Sequence, residues 1–321
     1  MDQEVYDVLI IGSGIAGLTA ALYSARQGLK TIIVSADLGG QLVMAPEIQN
    51  FPGFESIRGY ELIQRVEAQV RAYDVEVVYD EIQELSRQGE YFVAKGLSSE
   101  YRAFTVVLAC GKAPKELGVP GEKELRGKGV SYCVVCDAPL FKGRTVALVG
   151  WGHHGWESVN TLAGYARKVY WVFPSAEPYD DEEAVRSLLS RGVVELVPRA
   201  QLVAVKGSKR VEALVVRNRD TDEEREIQLD GVFIEIGYEP KTGFLKGFVN
   251  LNDKGEVVVD REGRTSMPGV FAAGDVTDMP YKQAVIAAGM GSIAALSAYK
   301  YLMEVRGKKV AVLSDWRHGK R

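Results

Sequence analysis

Val5-Tyr6-Asp7-Val8-Leu9-Ile10-Ile11-Gly12-Ser13-Gly14-Ile15-Ala16-Gly17 decides the fold. An apolar run meets three glycines at the spacing Gly-x-Gly-x-x-Gly, and an alanine-rich stretch continues to about Gln27. The order reads as strand, tight turn and helix, the opening of a βαβ unit that binds a dinucleotide. Gly12 permits the turn, Gly14 lets the backbone approach a pyrophosphate, and Gly17 lets the helix pack closely on the strand. The helix N-terminus favours the phosphate charge. The next strand, Thr31 to Val34, is followed by Ser35, with Asp37 two residues on, where an acid often holds a ribose hydroxyl. Ribose binding is expected to use Ser35, backbone groups or water.

The same grammar recurs downstream. Thr145 to Val149 forms a second apolar strand, followed by Gly150-Trp151-Gly152-His153-His154-Gly155, a helix to about Ala166, and a strand at Lys168 to Phe173. Two such units suit a chain of 321 residues, at roughly 150 residues per domain. The expected fold class is α/β with two Rossmann-like dinucleotide-binding domains. Between the units an amphipathic helix is expected at about Gly59 to Tyr73, with alternating strands at Val75 to Tyr79 and Tyr91 to Lys95. Further strands are expected at Leu202 to Val205 and Val211 to Arg217, with a solvated hairpin tip at Asp220 to Glu226. An Ala- and Gly-rich helix is expected from about Gln283 to Met303.

Composition narrows the function class. Lys and Arg number 39 against 43 Asp and Glu, a net charge of −4, which argues against a nucleic-acid binder. Three cysteines are too few for a disulfide scaffold. Met1 to Asp7 carries three acids and no base, so no secretory signal is read there. Val8 to Ala25 is uncharged, but its glycines break it into strand and helix and argue against a membrane span. A cytoplasmic protein without membrane contact is expected.

Two further motifs carry chemistry. In Cys133-Val134-Val135-Cys136-Asp137 the two thiols can close a small disulfide, and this spacing can lower one thiol's pKa. The competing readings are half a zinc site or two buried thiols. His153 and His154 sit in the second glycine turn and point apart, so they are poor zinc partners, and no metal is expected. Asp137 is either a capping or surface acid, or a proton donor beside the pair. In Gly269-Val270-Phe271-Ala272-Ala273-Gly274-Asp275 a buried strand ends in Gly-Asp, whose carboxylate can accept a ribityl hydroxyl. Lys282-Gln283-Ala284 then starts a helix whose amide end could face a flavin.

Taken in order, these motifs resemble the thioredoxin reductase family of flavoprotein disulfide reductases over essentially the whole chain. The likeness also includes Gly39-Gly40-Gln41-Leu42, Asn50-Phe51-Pro52-Gly53, Val119-Pro120-Gly121-Glu122 and Ile236-Gly237-Tyr238-Glu239-Pro240. It implies FAD held by a discontinuous domain, roughly 1–113 and 241–321, with an inserted domain, roughly 114–240, carrying the cysteines. By the resemblance, Cys136 is the flavin-proximal thiol, Cys133 attacks the substrate disulfide, and Asp137 handles the proton. Around the flavin it places Gly12, Ser13, Gly14, Ile15, Ala16, Gly17, Ser35, Gly40, Gln41, Leu42, Asn50, Ala109, Gly111, Gly274, Asp275, Lys282, Gln283 and Ala284. It implies a thioredoxin-like protein disulfide as acceptor, a homodimer, and an inserted domain that rotates between flavin and substrate.

The sequence departs from the family at the nicotinamide site. Trp151, His153, His154 and Trp156 stand where small residues and an acid are usual. NADPH-using relatives carry a His-Arg-Arg type run at the second strand's end. Here the run is Trp171-Val172-Phe173-Pro174-Ser175-Ala176-Glu177-Pro178, followed by acids at Asp180 to Glu183. These residues argue against NADPH and for another electron donor, such as a ferredoxin. An NAD(P)H-dependent enzyme, a dithiol oxidase using oxygen and a redox sensor with an inert flavin are the alternatives. Cys110 replaces a Thr and reads as a bystander, and Lys282 replaces an Arg. In the tail, a ring of Trp316 or His318 is expected to stack over the flavin.

Overall fold

The computed structural model describes residues 4–45 and 47–308, so Trp316 and His318 lie outside the described residues. In chain order the elements begin with β1 (Val5–Ile11), α1 (Ile15–Arg26), β2 (Thr31–Ser35), α2 (Gly59–Arg71), β3 (Glu76–Tyr79), β4 (Ile82–Gln88), β5 (Tyr91–Gly96), β6 (Glu100–Leu108) and β7 (Lys112–Pro114). There follow β8 (Val130–Ser131), α3 (Val134–Asp137), β9 (Thr145–Gly150), α4 (Gly152–Leu162), β10 (Lys168–Val172), α5 (Glu182–Leu189) and β11 (Val194–Val197). The chain continues through β12 (Ala200–Lys206), β13 (Ala213–Asn218), β14 (Glu224–Gln228), β15 (Gly231–Glu235), β16 (Tyr238–Pro240), β17 (Val270–Ala272) and α6 (Ala284–Val305). Two compact units result, one of residues 1–113 with 239–321 and one of 114–238.

The first unit is built on a seven-stranded sheet in the order β3-β2-β1-β6-β5-β4, with β17 also paired to β6. β1, β2, β3, β6 and β17 run parallel, while β5 pairs antiparallel with β6 and β4 antiparallel with β5. β1 is central and covered on both faces, which is why it reads as a nearly unbroken apolar run. Leu9 and Ile10 point to opposite faces and neither is exposed. α1 and α6 pack on one face, where Gly291 lets α6 approach so closely that a Cβ would strike the Ala16 backbone. Among the described residues α6 is the one helix long and apolar enough to cross a membrane. Ala287, Met290, Ala294, Ala295, Ala298 and Leu302 nonetheless bury one side of it in this core.

The second unit has a parallel sheet in the order β11-β10-β9-β15-β8 and an antiparallel sheet β12-β13-β14. Its strands again bury apolar residues on both faces, with Trp171, Phe173 and Phe233 fully enclosed. Two boundaries move by more than two residues from the sequence expectation. α4 stops at Leu162, short of the expected Ala166, because Gly164 and Tyr165 turn the chain back. The hairpin turn is shorter than expected, since Glu224 to Glu226 pair within β14. α5 is an element that the sequence pattern does not announce.

Candidate active site

The first unit supplies a pocket where β1, β6 and β17 end. Gly12, Ser13, Gly14, Ile15 and Ala16 line it with Ser35, Gly40, Gln41, Leu42, Ala109 and Gly111. Gly274, Asp275, Lys282, Gln283 and Ala284 close it from the other chain segment. Gly12 has φ +107°, and a Cβ there would run into the Ala109 carbonyl, so glycine is required. Gly17 stands behind the wall, where a side chain would strike the Gly12 carbonyl. A Cβ on Gly14 would meet nothing closer than the Gly39 oxygen at 3.9 Å, which leaves the mouth open to a ligand.

Two helix N-termini face this pocket without side-chain caps. Gly14 is the N-cap of α1 and Gln283 that of α6, and neither makes a side-chain cap bond. Their first-turn amides are donors without intrahelical partners, suited to a phosphate and to a ring carbonyl. The pocket thus fits a dinucleotide cofactor. Ser35 is partly committed: its Oγ accepts the Ser13 amide and lies 3.1 Å from the Ser13 Oγ. Asn50 does not line the pocket but donates through Nδ2 to Gln283 Oε1 at 3.0 Å. Gln41 donates to the Lys112 carbonyl at 2.8 Å.

The wall also holds a charge cluster that no sequence motif marks. Lys112 and Lys282 both line the pocket, and both reach the buried Glu256, at 2.9 and 3.2 Å. Burial alone would raise the Glu256 pKa, but hydrogen bonds from Lys112, Asn252 and Lys282 outweigh it and hold the carboxyl at about 2. Lys282 also donates to the Asp275 and Thr277 carbonyls, so it ties the Gly-Asp turn to the start of α6. Asp275 is raised by burial, with the two lysines pulling the other way. Cys110 lines the same pocket, and burial pushes its thiol up to about 12, which keeps it protonated and unreactive.

The second unit carries the Cys133–Cys136 disulfide, with Cα atoms 5.4 Å apart. It consumes both thiols, and among the described residues no group of three or more ligating side chains could hold a metal ion. Cys133 is the N-cap of α3, and its Sγ accepts the Cys136 amide at 3.2 Å. Cys136 is exposed and Cys133 partly buried. Asp137 closes α3, donating its amide to the Cys133 carbonyl at 3.2 Å.

Tyr132, just before the pair, donates to Glu122 at 2.7 Å. Glu122 is wholly buried and also accepts the amides of Leu117, Gly118 and Val119. The Val-Pro-Gly-Glu motif is therefore a carboxylate nest that anchors the approach to the redox turn.

At the second glycine turn the chain itself takes up one backbone amide. Gly152 (φ +70°) donates its amide to the Pro178 carbonyl at 2.7 Å. His153, Trp156 and Tyr179 form an aromatic cluster with centroid distances of 5.6 to 6.1 Å, in which His153 stacks on Trp156 and His153 Nδ1 lies 3.0 Å from the Tyr179 hydroxyl. Trp151 remains exposed. The acids after Pro178 have a local cause: Asp181 caps α5 through the Ala184 amide, and Glu182 and Glu183 occupy its first turn. Arg199, which belongs to no sequence motif, donates its amide to Ser175 O but turns its guanidinium to Asp220 at 2.6 Å.

Comparison with known proteins agrees with this geometry. The family model described as pyridine nucleotide-disulphide oxidoreductase matches residues 6–291. The thioredoxin reductase of Peptoclostridium acidaminophilum is 40% identical over 310 residues, covering 94% of this chain and 98% of the relative. The F component of the alkyl hydroperoxide reductase of Pseudomonas putida is 40% identical over 306 residues, or 94% of this chain and 59% of that protein. The chain thus spans about three fifths of the length of these larger relatives. Among solved structures, the thioredoxin reductase of Lactococcus lactis is similar with a TM-score of 0.77 and 31% identity, covering 93% of this chain and 99% of that one.

Proposed function

The chain belongs to the pyridine nucleotide-disulphide oxidoreductase family as a thioredoxin reductase-like flavoprotein, and from that premise we propose an FAD-dependent reductase of a protein disulfide such as thioredoxin. The observation that carries this reading is the Cys133–Cys136 disulfide on its own short helix, in a chain that also holds a two-helix dinucleotide pocket. FAD would be held by the Gly12–Gly17 turn at the pyrophosphate, by Asp275 at the ribityl chain, and by the α6 amides at the ring. When bound, it supplies a two-electron carrier between the donor and the disulfide.

The residues then divide the work. Two electrons and two protons open Cys133–Cys136 to a pair of thiols. The Cys133 thiolate attacks the acceptor disulfide and forms a mixed disulfide. The Cys136 sulfur displaces the acceptor's second thiolate and restores the intramolecular bond. Asp137, beside the pair, is read as the proton carrier. The 40% identity to part of an alkyl hydroperoxide reductase favours a second reading, in which these electrons serve hydroperoxide reduction.

The donor is read as one other than NADPH, with a ferredoxin-type protein as the candidate. Support comes from the second glycine turn, where Pro178 takes the Gly152 amide and the His153 side chain is bonded to Tyr179. The strand end offers no Arg run for a 2′-phosphate. Anaerobic titration of the oxidised protein with NADPH, NADH and reduced ferredoxin tests this. Bleaching of the flavin band by ferredoxin alone is expected, and rapid stoichiometric bleaching by NADPH would refute it. The reading includes a cytoplasmic homodimer; Val285 and Ile293 give α6 exposed apolar side chains for a second copy, which sedimentation equilibrium tests.

A further inference from the structure

Glu235 is a half-buried carboxyl that the reaction outlined above does not use. It ends β15, and the sheet register sets it opposite Gly150, the first glycine of the second turn. A Cβ on Gly150 would lie 2.7 Å from the Glu235 carbonyl, so the strand ends are in close contact. From there the Glu235 side chain accepts the Val134 amide at 3.3 Å. Val134 is the first residue of α3 and follows Cys133 directly.

We propose that Glu235 is a positioning residue for the redox pair: its carboxyl anchors the start of α3 and governs how readily the Cys133 thiolate forms. The inference rests on reading Cys133–Cys136 as the working pair. Two influences oppose each other at Cys133. The Cys136 amide, which its sulfur accepts, favours a negative sulfur. A carboxylate one residue away disfavours it and also occupies the Val134 amide. Burial raises the Glu235 pKa, partly offset by the Val134 amide and by His154. The carboxyl therefore takes up a proton more readily than an exposed glutamate, and a neighbouring thiolate would push it further the same way. The other titratable groups around it are Tyr238, raised by burial and by Glu235, and His154 on α4.

The test is Glu235→Gln, which keeps an oxygen for the Val134 amide and removes the charge. The readout is the pH profile of iodoacetamide alkylation of reduced Cys133, followed on its peptide. Like charges at a half-buried site shift a titration by about one pH unit. The half-rate pH should therefore fall by about one, with alkylation up to about tenfold faster below it. At pH 8 the equilibrium with glutathione should move up to about tenfold toward the dithiol, or ~30 mV. The shift should persist in a His154→Gln background, which removes the imidazole that acts on Glu235.

A purely structural Glu235 would leave both readouts within twofold of the unaltered protein in Glu235→Gln, and that result overturns the proposal. The unaltered protein gives a second test. Its profile should spread over more than one titrating group, and a profile fitted by a single group also overturns the proposal. Neither readout needs flavin, donor or thioredoxin. Failure of the proposed function would appear separately, as a normal Glu235 effect in a protein that does not reduce thioredoxin.

Discussion

Replacing Glu256 with Gln tests the charge cluster in the cofactor wall. In the folded chain this carboxyl titrates at about 2, against 4.5 for an unpaired glutamate. That difference contributes about 3 kcal/mol of stability at pH 7. Because the folded value is the lower one, the contribution is complete above pH 4.5 and is lost as the pH falls toward 2. Lys112 and Lys282 keep 18% and 24% of their side chains exposed and can turn to water, so the loss should be about 2–3 kcal/mol. Urea unfolding of the holoprotein, followed by flavin release and far-UV circular dichroism, measures it. The gap between unaltered and variant protein should be widest at pH 7 and should narrow steadily below pH 4.5. A gap under about 1 kcal/mol, or one that does not change with pH, would refute the assignment.

Other predictions follow from single contacts. Gly12→Ala should abolish flavin retention, because the new methyl meets the Ala109 carbonyl; the absorbance ratio of purified protein near 450 and 280 nm checks it. Glu122→Ala strands three amides and the Tyr132 hydroxyl and should cost about 3 kcal/mol or more, read as a lower urea midpoint for the second unit. Cys110, held up at about 12 by burial, should stay unlabelled by iodoacetamide at pH 8 in the folded, reduced protein while Cys133 and Cys136 react. Mass spectrometry of the labelled peptides distinguishes the three.

The fold is legible in the sequence where geometry admits one residue type. Gly12 has no alternative at its φ, and its counterpart Gly150 has no room for a Cβ beside the Glu235 carbonyl, so both nucleotide-binding units stand out. The redox pair is legible because two cysteines three residues apart can bond on a single turn. What stays hidden depends on residues far apart in sequence. Lys112 and Glu256 are 144 positions apart, and neither belongs to a local motif. Glu122 is visible within a motif, but its work on Tyr132 depends on how the loop folds back. The acids at Asp180 to Glu183 read, in sequence, as a repulsive surface for a phosphate. Asp181, Glu182 and Glu183 also begin a helix, and the neighbouring turn's Gly152 amide goes to the Pro178 carbonyl, which carries no sequence signal.

The central claim is that electrons leave through Cys133–Cys136. It is tested most directly by photoreducing the holoprotein without oxygen, adding oxidised thioredoxin, and counting the thiols formed on thioredoxin. Each oxidation of the Cys133–Cys136 dithiol should reduce one thioredoxin disulfide, a second following when reduced flavin restores the pair, and none should be reduced by Cys133→Ser, even with its flavin fully reduced. Undiminished thioredoxin reduction by Cys133→Ser would contradict the account.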